Sequence, residues 1–325
     1  MSTLMITGGC GFIGSGFLHM LARDAYKGQV VNMDMLTYAG NLKNIESIVG
    51  PLDLVDLGGD IADELDVEDA FQIYKPDYVV NFAAETHVDR SIVSAAPFVR
   101  SNVVGVQMLL DASMKYGVKR FCQISTDEVY GDLNPNDTPS KETDHLKPSS
   151  PYSATKAAAD LLVLAYHRTH KMDVVITRCS NNFGPRQYPE KLIPLAIRKL
   201  MNGEKIPVYG NGENVRDWIY VDDHCRGIWN VLQNGKSGEI YNFGGGNQVR
   251  NIDLVKMLVK LMGKDESSIE FVTDRPGHDF RYDMDFSKAT KELGWRPEKT
   301  FEEGLRETVA WYLQEYEKSQ DGRSR

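Results

Sequence analysis

Short apolar runs rich in β-branched residues alternate along the chain with longer stretches in which apolar positions recur every three to four residues. Runs at 4–7, 29–33, 52–57, 78–83, 120–125 and 173–178 read as strands, and the segments between them, such as the one carrying Phe17, Leu18 and Leu21, read as helices. Tyr78-Val79-Val80-Asn81-Phe82-Ala83 is too continuously apolar for a strand with one wet face. The pattern therefore predicts an α/β fold, a doubly wound parallel sheet covered by helices on both faces. Around Pro185 it breaks into Pro, Gly and charged residues through about Arg216, and a weaker mixed region follows Gly246. Residues 1–185, with about 217–246, are expected to form the main domain. A smaller, interlocked α/β domain is expected from 186–216 and 247–325, with 239–243 returning a strand to the main sheet. The tail from Glu317, rich in Ser, Gly and charge, is expected to fray.

A chain of 325 residues with 42% hydrophobic and 26% charged positions can bury a large core and is neither disordered nor fibrous. Its net charge of −9 repels phosphate, which argues against nonspecific binding to nucleic acid or anionic membrane. Any phosphate ligand must be met by local, aimed donors. Cys10, Cys122, Cys179 and Cys225 show no disulfide or metal-ligand spacing, so no metal is expected. With no basic leader and no long uncharged stretch, the expected location is the cytoplasm.

Directly after the first strand comes Thr7-Gly8-Gly9-Cys10-Gly11-Phe12-Ile13-Gly14, opening a helical pattern. Gly9, Gly11 and Gly14 fit the dinucleotide fingerprint, in which glycines let backbone approach a pyrophosphate at a helix N-terminus. The second strand ends at Asp34, where an acid is expected to hydrogen-bond ribose hydroxyls and to repel a ribose phosphate, so NAD is favoured over NADP. Gly59-Asp60-Ile61 and Ala83-Ala84-Glu85-Thr86-His87 also fall at carboxyl ends of strands, the ligand-binding edge of open α/β sheets.

The strand at 120–125 runs into Thr126-Asp127-Glu128-Val129-Tyr130-Gly131, placing a hydroxyl and two carboxylates at that edge. Like charges in a low-dielectric site raise at least one pKa, which can separate an acid from a base. By itself the Asp-Glu pair reads more readily as a solvated turn. Tyr152-Ser153-Ala154-Thr155-Lys156 opens a later helix, with Tyr and Lys on one face. An ammonium and a positive nicotinamide would favour the phenolate, which can take a proton from an alcohol.

With these motifs the sequence resembles the extended short-chain dehydrogenase/reductases, and within them the nucleoside-diphosphate-glucose 4,6-dehydratases, above all those acting on dTDP-glucose. Leu36 to Asn41, Glu85 to Ser91, Arg178 to Asn182, Pro189 to Pro194, Asn214 to Trp218 and Asp274 to Asp279 share in the likeness. Sugar-nucleotide epimerases share the glycine loop and the Tyr/Lys pair but lack the Asp127-Glu128 pair. The resemblance implies a lyase with internally recycled NAD and an expected homodimer, pairing through 102–116 and 154–170. It implies a catalytic set of Thr126, Asp127, Glu128, Tyr152 and Lys156. Tyr152, with Lys156 and Thr126, would deprotonate the hydroxyl at carbon 4 during oxidation. Glu128 would take the proton from carbon 5 as Asp127 protonates the leaving hydroxyl at carbon 6. Hydride return to carbon 6 then gives the 4-keto-6-deoxy sugar.

The same resemblance assigns NAD to Gly8, Gly11, Phe12, Ile13, Gly14, Asp34, Leu36, Thr37, Asp60, Ile61, Ala83, Ala84, Ser101, Tyr152, Lys156 and Asn182. It assigns the nucleotide sugar to Thr86, His87, Thr126, Asn181, Lys191, Leu192, Pro207, Val208, Tyr209, Arg216, Asn251, Arg275 and His278. Arg suits phosphate because its planar fork bonds two oxygens. Phe280 stands where a second basic residue is common, Thr86 replaces a frequent Ser, and 246–251 is an unusual loop, so the base (thymidine, uridine or another) and the sugar both remain open. A 4-epimerase and a dinucleotide-sensing regulator without chemistry are the alternatives. The acid pair disfavours the first, and the intact Tyr and Lys disfavour the second.

Overall fold

The apolar runs form one parallel sheet. In the computed structural model, which describes residues 2–274 and 277–321, the first half runs β1 (Thr3–Thr7), α1 (Phe12–Arg23), β2 (Gln29–Asp34), β3 (Leu54–Gly58), α2 (Glu64–Tyr74), β4 (Tyr78–Asn81), α3 (Val88–Val93), α4 (Ala96–Val99), α5 (Val106–Tyr116), β5 (Arg120–Thr126), α6 (Pro151–His170) and β6 (Val174–Cys179). The second half runs β7 (Asn181–Phe183), α7 (Leu192–Met201), β8 (Ile206–Tyr209), β9 (Val215–Tyr220), α8 (Val221–Asn234), β10 (Ile240–Phe243), β11 (Gln248–Arg250), α9 (Asn251–Leu261), β12 (Ile269–Val272), α10 (Ser287–Leu293) and α11 (Phe301–Asp321).

Seven strands pair in the order β10-β6-β5-β4-β1-β2-β3, all parallel. The order reverses between β1 and β4, so the chain leaves their carboxyl ends in opposite directions and opens a crevice there. Leu4 and Ile6 pack in one apolar layer with Phe17, Leu18 and Ile228, while Met5 between them joins the opposite layer with Phe71, Leu109 and Val163. Both faces of the sheet are thus dry, which is why its strands read as continuous rather than alternating apolar runs.

The second lobe holds a β11-β9-β7 sheet and a β12-β8 pair around a core that includes Phe183, Ile197, Trp218, Leu254 and Leu305. Here the expected boundaries need correction. β7 lies inside 1–185 and most of β9 inside 217–246, yet the two pair with each other in the small sheet, and only β10 returns to the large one. Breaks drawn at 185 and 217 therefore cut through a sheet.

The helix expected over 102–116 also differs, because a π-helical stretch, Arg100–Gly105, precedes α5. Its wider turns deliver the buried Asn102 side chain to the loop after β4, where Oδ1 accepts from the Glu85 amide at 2.9 Å and Nδ2 donates to the Glu85 carbonyl and the Thr155 hydroxyl, each at 3.0 Å. The tail differs as well, since α11 carries the helix past Glu317. All four cysteines are buried and free. Among the described residues no helix is long and apolar enough to cross a membrane.

Phe183 anchors the small lobe, with its ring 1% exposed and edge-on to Trp218, Tyr220 and Phe301 at 6.2, 5.6 and 5.2 Å between centroids. Phe183→Ala is expected to lower the unfolding free energy by about 3–5 kcal/mol, measured as a reduced denaturation midpoint in urea.

Candidate active site

The glycine loop follows from close backbone approach. Gly8 has φ of +73°, and a Cβ there would lie 2.7 Å from the Ala83 nitrogen at the end of β4, while a Cβ on Gly14 would lie 2.3 Å from the Gly8 carbonyl oxygen. The Gly9 amide donates to Asn32 Oδ1 on β2 at 2.8 Å, which pins the loop to the sheet. No side chain caps the first turn of α1, so its amides are left for a ligand. Asp34 closes β2, its Oδ2 accepting from the Cys10 amide at 2.9 Å and its Oδ1 from the Leu36 amide at 2.8 Å. Burial raises its pKa, and those two amides oppose the rise. A cradle that only glycine fits, an uncapped helix start and an acid at the second strand end suit a dinucleotide with free ribose hydroxyls.

One cleft above the carboxyl ends of the sheet brings together most of the residues expected from sequence. From the cofactor set it is lined by Gly8, Gly11, Phe12, Ile13, Gly14, Asp34, Thr37, Asp60, Ile61, Ala83, Ala84, Ser101 and Asn182. Thr86, Thr126, Asp127, Glu128, Tyr152, Lys156, Asn181 and Lys191 share the same walls. Leu36 does not line it; the residue sits at φ of +53° with an exposed side chain.

Tyr152 is placed by a well-made helix start. Ser150 caps α6 in a reciprocal box with Ser153, and Pro151 sits in the first turn. The Tyr152 amide donates to Ser91 Oγ at 3.1 Å, and Phe98 packs edge-on at 6.4 Å between centroids. Burial, then Glu128, Cys179 and Asp127, push the phenol well above its ordinary pKa, while a hydrogen bond with Thr126 pulls the other way. The chain's own residues thus hold a neutral phenol, where the sequence suggests a phenolate favoured by Lys156. The Lys156 ammonium, also buried, donates to the Ile124 carbonyl oxygen at 2.6 Å.

Thr126 ends β5 and caps a short 3-10 turn, Asp127–Tyr130, its Oγ1 accepting from the Glu128 amide at 3.2 Å and donating to Asp127 Oδ1 at 3.1 Å. Asp127 is 4% exposed, and its Oδ2 is buried without a hydrogen-bond partner. Burial, then Glu128, raise its pKa well above the ordinary carboxylate value, which favours its protonated form.

The residues expected to hold substrate divide. His87 precedes the first turn of α3 without capping it, and its side chain faces Glu190, Nε2 to Oε2 at 3.5 Å. Arg216 is 5% exposed and turns its fork onto backbone, NH1 to the Val215 and Phe280 oxygens at 2.8 and 3.2 Å and NH2 to the Asp279 oxygen at 2.9 Å, with its guanidinium 4.5 Å above the Tyr282 ring. It still lies close enough to lower the Asp127 pKa. Asn251 opens α9 with a buried, unpartnered Oδ1. His278 pairs with Asp274 at 2.6 Å, edge-on to Tyr209. Val208 faces the small lobe's core, Leu192 packs against that core, and Pro207 sits on β8 between Ile206 and Val208. Arg275 lies outside the described residues.

Glu85, Gln187, Tyr188 and Glu190 also line the cleft and are not singled out by the sequence. Glu190 accepts from the Tyr38 hydroxyl at 3.2 Å, and Arg90 stacks 3.7 Å over the Tyr38 ring. Glu85 and Glu190 lie within family-like motifs, beside Thr86 and Lys191. Adjacency to those residues is the signal the sequence offers for them.

A family model described as GDP-mannose 4,6 dehydratase matches residues 5–308. The chain belongs to that family. Among its relatives, a dTDP-glucose 4,6-dehydratase of Actinoplanes sp. is 50% identical over 95% of this chain and 97% of its own. DesIV, a dTDP-glucose 4,6-dehydratase from Streptomyces venezuelae solved with NAD and TYD bound, is 46% identical with a TM-score of 0.93, covering 96% of this chain and 97% of that one. A UDP-glucose 4-epimerase from Thermotoga maritima, solved with UDP-glucose, is 30% identical with a TM-score of 0.90, covering 97% and 99%. Architecture alone therefore does not separate a 4,6-dehydratase from an epimerase, and the acid pair after Thr126 must.

A carboxyl whose folded pKa is raised costs stability as pH climbs from its unfolded toward its folded value. Asp127→Asn removes that cost. The stability of the variant relative to wild type is expected to grow as pH rises from about 4 to about 7, read from urea unfolding at both pH values.

Proposed function

We propose that this chain converts a nucleoside-diphosphate-glucose, dTDP-glucose foremost, to the 4-keto-6-deoxy sugar with loss of water and with NAD as a cofactor that ends each turnover oxidised. The observation that carries this reading is a buried Asp127, its carboxyl pKa pushed up by burial and Glu128, beside Glu128 in the same cleft as Tyr152, Lys156 and the glycine cradle. A 4-epimerase would have no use for a carboxylic acid and a second carboxyl at that point. The relatives' names and the dinucleotide and nucleotide bound to DesIV support the same substrate and cofactor.

Gly8, Gly11, Gly14 and the first turn of α1 would hold the pyrophosphate of NAD and Asp34 a ribose; when bound, NAD accepts hydride from carbon 4 and returns it to carbon 6. With the positive nicotinamide bound and the Lys156 ammonium nearby favouring its phenolate, Tyr152, in contact with Thr126, would take the proton of the hydroxyl at carbon 4. The resulting ketone acidifies carbon 5, and Glu128 removes that proton while Asp127 gives its own to the hydroxyl at carbon 6, which leaves as water. Glu128 then returns its proton to carbon 5. The proton gained by Tyr152 and the one lost by Asp127 cancel, so the sum is sugar in, keto sugar and water out. Asn181 and Lys191, both on the cleft wall, reach the sugar and its phosphates in this reading. Arg216, Asn251 and His278, with Tyr209, lie on the adjoining lobe, where the base would be held.

In this reading the protein works in the cytoplasm, where nucleotide sugars and NAD are available, and as a homodimer. Val104, Met114 and Leu161 stay exposed on the two stretches expected to pair. Light scattering is expected to give twice the chain mass for wild type and one chain mass for Leu161→Arg; a wild-type monomer would count against pairing.

The activity is tested by incubating the protein and NAD with a panel of nucleotide-glucoses and following loss of one water by mass. dTDP-glucose is expected to react fastest, and unchanged dTDP- and UDP-glucose would refute the reading. Glu128→Gln is expected to lower turnover at least about 100-fold while reduced cofactor accumulates, because oxidation at carbon 4 survives and elimination does not.

A further inference from the structure

Three segments that are remote in sequence meet around one carboxylate at the cleft. Glu190 precedes α7, and its side chain is 14% exposed. Its Oε1 accepts from the Tyr38 hydroxyl at 3.2 Å, while its Oε2 lies 3.5 Å from His87 Nε2 and 3.8 Å from an Arg90 terminal nitrogen. Tyr38 comes from the loop after β2. The Arg90 guanidinium sits 3.7 Å over its ring, and the Tyr188 ring meets it edge-on at 5.4 Å between centroids. Beside Glu190, Lys191 Nζ donates to the Thr86 carbonyl oxygen at 3.3 Å.

These contacts join two walls of the same cleft. Thr37, Ala39 and Gly40, on either side of Tyr38, line it from the cofactor half, and Tyr188, Glu190 and Lys191 line it from the segment that leads into the small lobe. The loop bearing Tyr38 is anchored to the dinucleotide cradle: the Gly40 amide closes its turn onto the Thr37 oxygen at 3.0 Å, the Asn41 amide donates to the Cys10 oxygen at 3.0 Å, and the Leu36 amide donates to Asp34 Oδ1 at 2.8 Å. Tyr38 therefore reaches from the ribose acid's own loop to a carboxylate on the opposite wall. A hydroxyl–carboxylate bond, a ring edge and a stacked cation at half-exposed positions are each weak enough to break and re-form.

The proposed reaction gives such a bridge a use. Hydride taken from carbon 4 must return to carbon 6 of the same sugar, so the cofactor reduced in the first step has to stay until the last. We propose that Tyr38 and Glu190, backed by Arg90 and Tyr188, form a clasp that closes the cleft over the dinucleotide and must open to let it in or out. The clasp's purpose rests on the dehydratase reading; its geometry does not. A clasp slows entry and exit alike, whereas a plain contact with the ligand slows exit alone.

The test follows NADH by its fluorescence, with no sugar present. Exit is read by chasing NADH-loaded protein with excess NAD, and entry by stopped-flow mixing of NADH with protein freed of dinucleotide. Y38F is expected to speed entry and exit each at least about fivefold and Y38A at least about 20-fold, with urea midpoints close to wild type. Given dTDP-glucose but no added NAD, Y38A is expected to lose activity during turnover as free NADH appears in solution, where lactate dehydrogenase and pyruvate detect it. A folded variant of either kind that exchanges NADH at wild-type rates overturns the proposal, and so does faster exit with unchanged entry. Y38F, which removes a single hydroxyl, decides the matter should Y38A fail to fold. Wild type that cannot hold NADH also overturns it. Wild type that leaves dTDP-glucose unchanged refutes the dehydratase reading instead, and the exchange rates stand apart from that outcome.

Discussion

Desolvation is the constraint around which this protein is arranged. Asp127, Tyr152, Lys156 and Asp160 are kept from water at one end of a parallel sheet, where a charge unmatched by a partner is costly. That burial does chemical work without any added device: it pushes the pKa of one carboxyl and one phenol up and that of an ammonium down. The supports around these groups answer the same constraint. The Ser150 cap, the Ser91 hydroxyl and the Asn102 clamp satisfy backbone that would otherwise lie buried and unpaired at the start of α6 and in the loop after β4.

The two lobes contribute differently. The large sheet presents strand ends whose backbone geometry is rigid, so the cofactor half is defined by turns, glycines and one acid. The small lobe presents side chains whose present partners are mostly its own backbone, as with Arg216 and its three carbonyls. A ligand there would compete with existing hydrogen bonds.

Much of this was readable from the chain. Strand identity in the large sheet was plain because both faces are buried, leaving no polar positions to blur the runs. The glycine loop, the acid pair and the Tyr/Lys pair were readable because each is local: neighbours in sequence, or one helical turn apart. What escaped was non-local. Nothing in the run 181–183 marks it as the partner of 215–220, because pairing is set by where the chain turns rather than by composition. The π-helical stretch was hidden for the same reason, since its cause is Asn102 reaching a loop seventeen positions earlier. Tyr38, Arg90 and Glu190 meet only because three separate segments fold over one cleft, and Asp160 on α6 meets its partner Arg178 only where β6 passes beneath the helix.

The crossing between sheets at Ser180 bears on how such proteins diversify. The chain passes from β6 into β7 with a single residue between them, and returns to the large sheet only at β10 after visiting the small one twice. No one cut in the gene separates the half that handles the dinucleotide from the half that handles the sugar. Exchange of a whole lobe between relatives by a single recombination would tear at least one sheet, so new specificities are reached by replacing individual side chains in place rather than by shuffling modules.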